Sequence, residues 1–123
     1  MADLKRLPVK YIRDRAKSAY EKGTECYICG DRDDLDFHHF YSINELFLKW
    51  CRKNSHIISS AEDIIDVRDD FIEDHYKELY VDTVTLCKYH HRERLHKIYG
   101  KSPALGTAQK QKRWCDKQRD KVK

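Results

Sequence analysis

Two short runs of this 123-residue chain carry metal-binding side chains at ligand spacing. Cys26-x-x-Cys29 lets two thiolates reach one ion from a single tight turn, and Cys87-x-x-His90, after 57 intervening residues, adds a third sulfur and an imidazole. Together they can close a tetrahedral zinc shell of the structural kind. A frame in which His91 closes that shell, as Cys-x3-His, is also open. Read instead as ordinary buried thiols, the same cysteines leave the offset of His90 to coincidence. His38, His39, His91 and His96 are more than such a zinc shell needs. Neutral imidazoles can hold a second divalent cation or take a proton near neutrality, their ordinary pKa being about 6.5. An all-imidazole set leans toward Mn²⁺, Ni²⁺, Co²⁺ or Zn²⁺, because Mg²⁺ prefers oxygen, although cellular supply can still make Mg²⁺ the working ion. His56 and His75 stand alone and read as core or surface filler.

These residues need elements to position them. Leu35-Asp36-Phe37-His38-His39-Phe40 reads as a short strand, so Leu35, Phe37 and His39 share one face while Asp36, His38 and Phe40 share the other. Leu79 to Leu86 reads as a returning strand, feeding a helix from about Lys88 to Gly100. In a regular helix five residues turn about 500°, so His91 and His96 fall on different faces and His91 is the better ligand candidate. Asp36 or Glu93 could orient one of the imidazoles from behind. Around this centre, Pro8 fits the first turn of a basic N-terminal helix over 1–22, with Val9, Ile12, Ala16 and Tyr20 on one stripe and Gly23 as its stop. Residues 23–40 hold the first Cys pair and strand. Residues 41–78 form a helical insertion: one helix capped by Ser42 or Asn44 through Cys51, broken near Asn54-Ser55, and one after Ser60 with Ile64, Ile65, Val67, Phe71, Ile72 and Tyr76 as its apolar stripe. Residues 79–100 supply the second strand and the metal-bearing helix, and 101–123 a basic C-terminal helix, capped by Thr107 and docked through Leu105, Ala108 and Trp114. The whole reads as a single α+β domain.

Composition narrows the partners. Charged residues make up 37% and mean hydropathy is −0.89, so apolar material is scarce and a stapling metal helps stability. The net charge of +4 hides segregation: 61–82 holds nine acids against two bases, whereas 97–123 holds nine bases against two acids. The acidic run is read as a solvated helix face, with packing on the basic end or partner binding as the alternatives. The basic end, with Lys97, Lys101, Lys110, Lys112 and Arg113, suits a polyanion held with little base readout. Five cysteines, an odd number with Cys51 and Cys115 left over, do not describe a disulfide framework, and no apolar run reaches membrane-span length. An intracellular setting is therefore expected.

With these residues in hand, the chain resembles the HNH, or ββα-metal, endonuclease family, and in particular the small zinc-containing HNH proteins of bacteriophages. The resemblance rests on Cys26-Tyr27-Ile28-Cys29, on Leu35 to Phe40, and on Val84-Thr85-Leu86-Cys87-Lys88-Tyr89-His90-His91 through Leu95-His96. Tyr99-Gly100-Lys101-Ser102-Pro103-Ala104-Leu105 and Lys110 to Trp114 are similar to the ends of such proteins. It implies a zinc-stapled ββα-metal core with a helical insertion and flanking helices. It further implies His38 and His91, with His96 the least secure, on a catalytic divalent cation (Mg²⁺, or Mn²⁺/Ni²⁺), and His39 as general base. On the same reading a structural zinc would sit on Cys26, Cys29, Cys87 and His90, the substrate would be DNA, and the setting would be the cytoplasm of the phage's host. The chain departs from the family's pattern in having Leu95 where many members carry the second helical histidine, and Asp82-Thr83 where many carry Asn. Two rivals stand beside it: a noncatalytic zinc module binding nucleic acid or protein, and an interaction protein that keeps the scaffold without the activity.

Overall fold

The computed structural model describes residues 7–122, with side chains from 10 onward, so 1–6 of the expected N-terminal helix and the Val9 side chain lie outside the described residues. The chain forms two compact units: residues up to Tyr20 with Ile43–Val81, and Glu21–Ser42 with Asp82 onward.

The first unit is helical. Helix α1 (Leu7–Ala16) runs into one tighter turn, Lys17–Ala19, and stops short of the expected Lys22 because Tyr20 is extended (φ −70°, ψ 129°). Helix α2 (Ile43–Lys53) and helix α3 (Ala61–Asp74) complete it. Ser60 caps α3 in a reciprocal box: its hydroxyl accepts from the Asp63 N–H at 3.3 Å, and the Asp63 carboxylate accepts from the Ser60 N–H at 3.2 Å. This satisfies donors that a helix start otherwise leaves orphaned. Ile12, Phe47, Trp50, Cys51, Ile64, Phe71 and Leu79 make the core, and Trp50 donates its indole N–H to Asp74 at 2.8 Å. Of the stripe expected on α3, Ile65 and Tyr76 are exposed. Tyr76 lies beyond the helix end, and Ile65 is out of phase with the Ile64, Val67, Phe71 spacing that meets the core.

The second unit carries the sheet. Strands β1 (Leu35–His39) and β2 (Thr83–Cys87) pair antiparallel, from Leu35 opposite Cys87 to His39 opposite Thr83. The strand expected from Leu79 begins only at Thr83. Phe40 N–H to Asp82 O, at 3.4 Å, closes the ladder, so 79–81 have no strand to pair with and instead finish a wide helical turn, Lys77–Val81, that buries Leu79. Helix α4 spans Tyr89–Tyr99: a π-helical stretch Tyr89–Leu95 passes into α-helical His96–Tyr99. Helix α5 (Ala108–Val122) follows a single turn at Leu105–Thr107. Just before α5, the Thr107 hydroxyl donates to Ala104 O at 2.6 Å and accepts from Gln111 Nε2 at 2.9 Å. Cys26, Ile28, Phe40, Val84, Leu86, Cys87, Leu95, Ala108 and Cys115 form this unit's core. Among the described residues, no helix is long and apolar enough to cross a membrane.

Candidate metal centres

The first cluster is built by two turns. Gly30, at φ +78°, lets the chain fold back so that its N–H reaches Cys26 O at 2.9 Å, a conformation other residues resist. The Cys26 N–H donates to Asp31 O at 2.7 Å and the Tyr27 N–H to Thr85 O at 2.9 Å, which fastens the turn to β2. At the end of β2, Cys87 and His90 face it. Cys29 Sγ lies 3.9 Å from Cys87 Sγ, and His90 Nδ1 lies 3.9 Å from Cys26 Sγ and 3.3 Å from Cys87 Sγ. A tetrahedral zinc with ~2.3 Å sulfur and ~2.05 Å nitrogen bonds needs edges of about 3.8 and 3.6 Å, so the four residues fit. Burial pushes the Cys87 thiol up to about 11. Burial also acts on Cys26, but backbone N–H groups at Cys29, Cys87 and Ile28 outweigh it and hold that thiol below its usual value, favouring the thiolate a metal requires. Cys115 is pushed up to about 12 by burial and is packed as core.

The second cluster contains His38, His91 and His96. His38 and Asp36 point to the same face of β1, and α4 brings the other two rings onto it. The expectation that His91 and His96 diverge is corrected here. The His96 N–H bonds to His91 O, five residues back. In such a π turn residues five apart stand one above the other, as residues four apart do in an α-helix. His96 Nε2 therefore lies 2.9 Å from His91 Nε2, and His38 Nδ1 lies 3.1 Å from the same atom. Adjacent ligands of an octahedral ion with ~2.1 Å metal–nitrogen bonds stand about 3.0 Å apart. His90, by contrast, turns toward the cysteines, so the Cys-x3-His frame is not the one the fold uses.

The protons on these rings follow from what stands behind them. His91 Nδ1 faces Asp36 Oδ2 at 2.9 Å, His96 Nδ1 faces Gly100 O at 2.7 Å, and His38 Nε2 faces Gln111 Oε1 at 2.7 Å. All three partners accept only. Each neutral ring has a single N–H, which must point outward, so three lone pairs converge on one point. Acceptor nitrogens this close repel one another unless a cation stands between them, which makes the trio a candidate ligand set. Burial, reinforced by the neighbouring histidines His91, His96 and His39, drives His38 down to about 3, against the Gln111 hydrogen bond, which acts to raise it. Burial likewise lowers His91, partly offset by Asp36. Burial raises Asp36 itself, but the hydrogen bonds from His91 and from Arg92 prevail and keep it ionised. Arg92 grips it with two donors, at 3.0 and 3.2 Å.

His39 occupies the other face of β1, its ring edge-on to Phe37 with centroids 5.1 Å apart, and is outside the converging trio. Asp36, rather than Glu93, is the carboxylate behind one of the clustered imidazoles. Gln111 was legible only as one residue of a basic helix. The available signal was its place on the stripe Ala108, Gln111, Cys115, a polar side chain where a buried one belongs.

A family model for phage T5 nicking endonucleases matches residues 2–123. The chain belongs to this family. It is thus a phage nuclease whose substrate is DNA. No solved structure matches the chain. Among the cations expected to meet that substrate, Lys97, Lys101, Lys110 and Arg113 are exposed. Lys112 differs: its Nζ bonds Asp82 Oδ1 at 3.0 Å and lies over the Phe40 and Tyr41 rings, so it is committed within the fold. A cavity of about 520 Å³ between Tyr27, Phe37, Lys112 and Arg119 does not include the three histidines.

Proposed function

We propose that this nicking endonuclease is metal-dependent and of the HNH, ββα-metal type, with β1, β2 and α4 as its ββα unit. A structural zinc is held by Cys26, Cys29, Cys87 and His90, and a separate catalytic divalent cation by His38, His91 and His96. The observation that carries this reading is the outward fixing of all three ring protons, by Asp36, Gly100 and Gln111, so that three imidazole lone pairs meet. When bound, such a cation would supply Lewis acidity that stabilises the charge developing as the phosphodiester is cleaved.

The chain's own residues do the rest. Asp36, ionised and braced by Arg92, orients His91 and raises its basicity as a ligand. His39, next to His38 on β1, takes the proton of the attacking water as a neutral general base. Lys97, Lys101, Lys110 and Arg113 hold phosphates without reading bases. A noncatalytic zinc module accounts for the cysteine cluster alone and gives the histidine trio no task.

The test is supercoiled plasmid incubated with Mg²⁺, Mn²⁺ or Ni²⁺. Conversion to open circles is expected from the parent, and its loss is expected from His39→Ala. A parent inactive with every cation, or a His39→Ala variant that nicks as well as the parent, would overturn the assignment.

A further inference from the structure

We propose that Gln111, on the C-terminal helix, is a positioning residue for the second metal centre: it fixes the tautomer of His38, and so decides whether Nδ1 offers the cation a lone pair or a proton. This rests on the three-histidine reading above and adds to it a residue outside the ββα unit.

Gln111 is fully buried in a helix that is otherwise strongly polar. Its amide cannot be turned around. The Nε2 group donates to Phe40 O at 3.2 Å and to Thr107 Oγ1 at 2.9 Å. Phe40 O can only accept, and the Thr107 hydroxyl has already given its proton to Ala104 O at 2.6 Å, so it too receives. With both N–H groups spent, Oε1 is the atom left facing His38 Nε2, at 2.7 Å. His38 must then carry its proton on Nε2 and leave Nδ1 bare, 3.1 Å from His91 Nε2. The order runs from Ala104 through Thr107 and Gln111 to His38, each link with one permitted direction. Neither the zinc shell nor the general base uses this chain of bonds.

The experiment compares the full-length, zinc-loaded parent with Gln111→Met, which keeps volume but removes both amide functions, and Gln111→Glu, which keeps an acceptor opposite Nε2. Long-range ¹H–¹⁵N spectra of labelled histidine read the His38 tautomer, and titration with Mn²⁺ alone reads the second centre. The parent should show a single Nε2–H tautomer. Gln111→Met should mix the tautomers and bind Mn²⁺ about 10- to 100-fold more weakly at unchanged zinc content. Gln111→Glu should recover most of that affinity. Unchanged tautomer and affinity in Gln111→Met, or equal weakening in both variants, would overturn the role given to Gln111 while leaving the metal centre standing. A parent that binds no Mn²⁺ beyond its zinc would overturn both.

Discussion

At the scale of single residues, the two clusters differ in what their loss should do. Cys87 lies buried at the junction of β2 and α4, and the zinc proposed there would join the Cys26 turn to both, so Cys87→Ser is expected to release the metal and unfold much of the second unit. His39→Ala removes a ring outside both clusters and should leave zinc content and circular dichroism at parental values. Similar melting of both variants would contradict the separation of structural from catalytic roles. Acid should act through His38. Its folded pKa, about 3, lies below the ordinary 6.5, so between these values the unfolded chain binds a proton the folded chain refuses. The contribution of His38 to stability is therefore complete above about pH 6.5 and declines as pH falls toward 3, beside those of His90 and His91, which burial also lowers. Melting of the zinc-loaded protein from pH 7.5 downward, beside His38→Gln, checks this: the parent should lose more than the variant.

At the scale of elements, the π turn is the part of the site that sequence spacing did not reveal. Alternation along β1 correctly put Asp36 with His38 and opposite His39, because strand periodicity is fixed by the backbone. The Cys-x2-Cys and Cys-x2-His spacings were equally direct. The helix was read with the usual i→i+4 geometry, which separates His91 from His96, and nothing in the run Tyr89–Leu95 marks a π segment by composition. If the wide turn serves to align these two rings, deleting exposed Glu93 should restore α-helical spacing and keep both on one face, with Mn²⁺ binding retained. Inserting Ala after Glu93 should part them and weaken that binding at least about tenfold, leaving zinc in place. In the first unit, Ser60→Ala removes the α3 cap and should cost about 1 kcal/mol in chemical denaturation, with no change in zinc content.

At the scale of the whole molecule, charge and chain order carry different messages. The strand pair that holds the histidines is interrupted in sequence by residues 43–81, and local patterning could show that they are helical but not that they form a separate unit with the N-terminal helix. Their membership depends on long-range packing of Ile12 with Ile64 and Phe71, which no local window contains. The basic C-terminal run reads as a polyanion contact by charge alone, yet two of its members serve the fold: Gln111 behind His38 and Lys112 against Asp82. Exposed Lys101→Ala or Lys110→Ala should weaken DNA binding uniformly across sequences and reduce its salt slope by about 1 each. Lys112→Ala should instead lower the melting temperature.

The account turns on a cation held by three imidazoles apart from the zinc. Pulsed electron paramagnetic resonance of Mn²⁺ added to the zinc-loaded protein reads that shell directly. Couplings to histidine nitrogens are expected, shifting on ¹⁵N labelling of histidine and reduced in His91→Ala. A spectrum of Mn²⁺ surrounded by water oxygens alone, the same in both proteins, would contradict it.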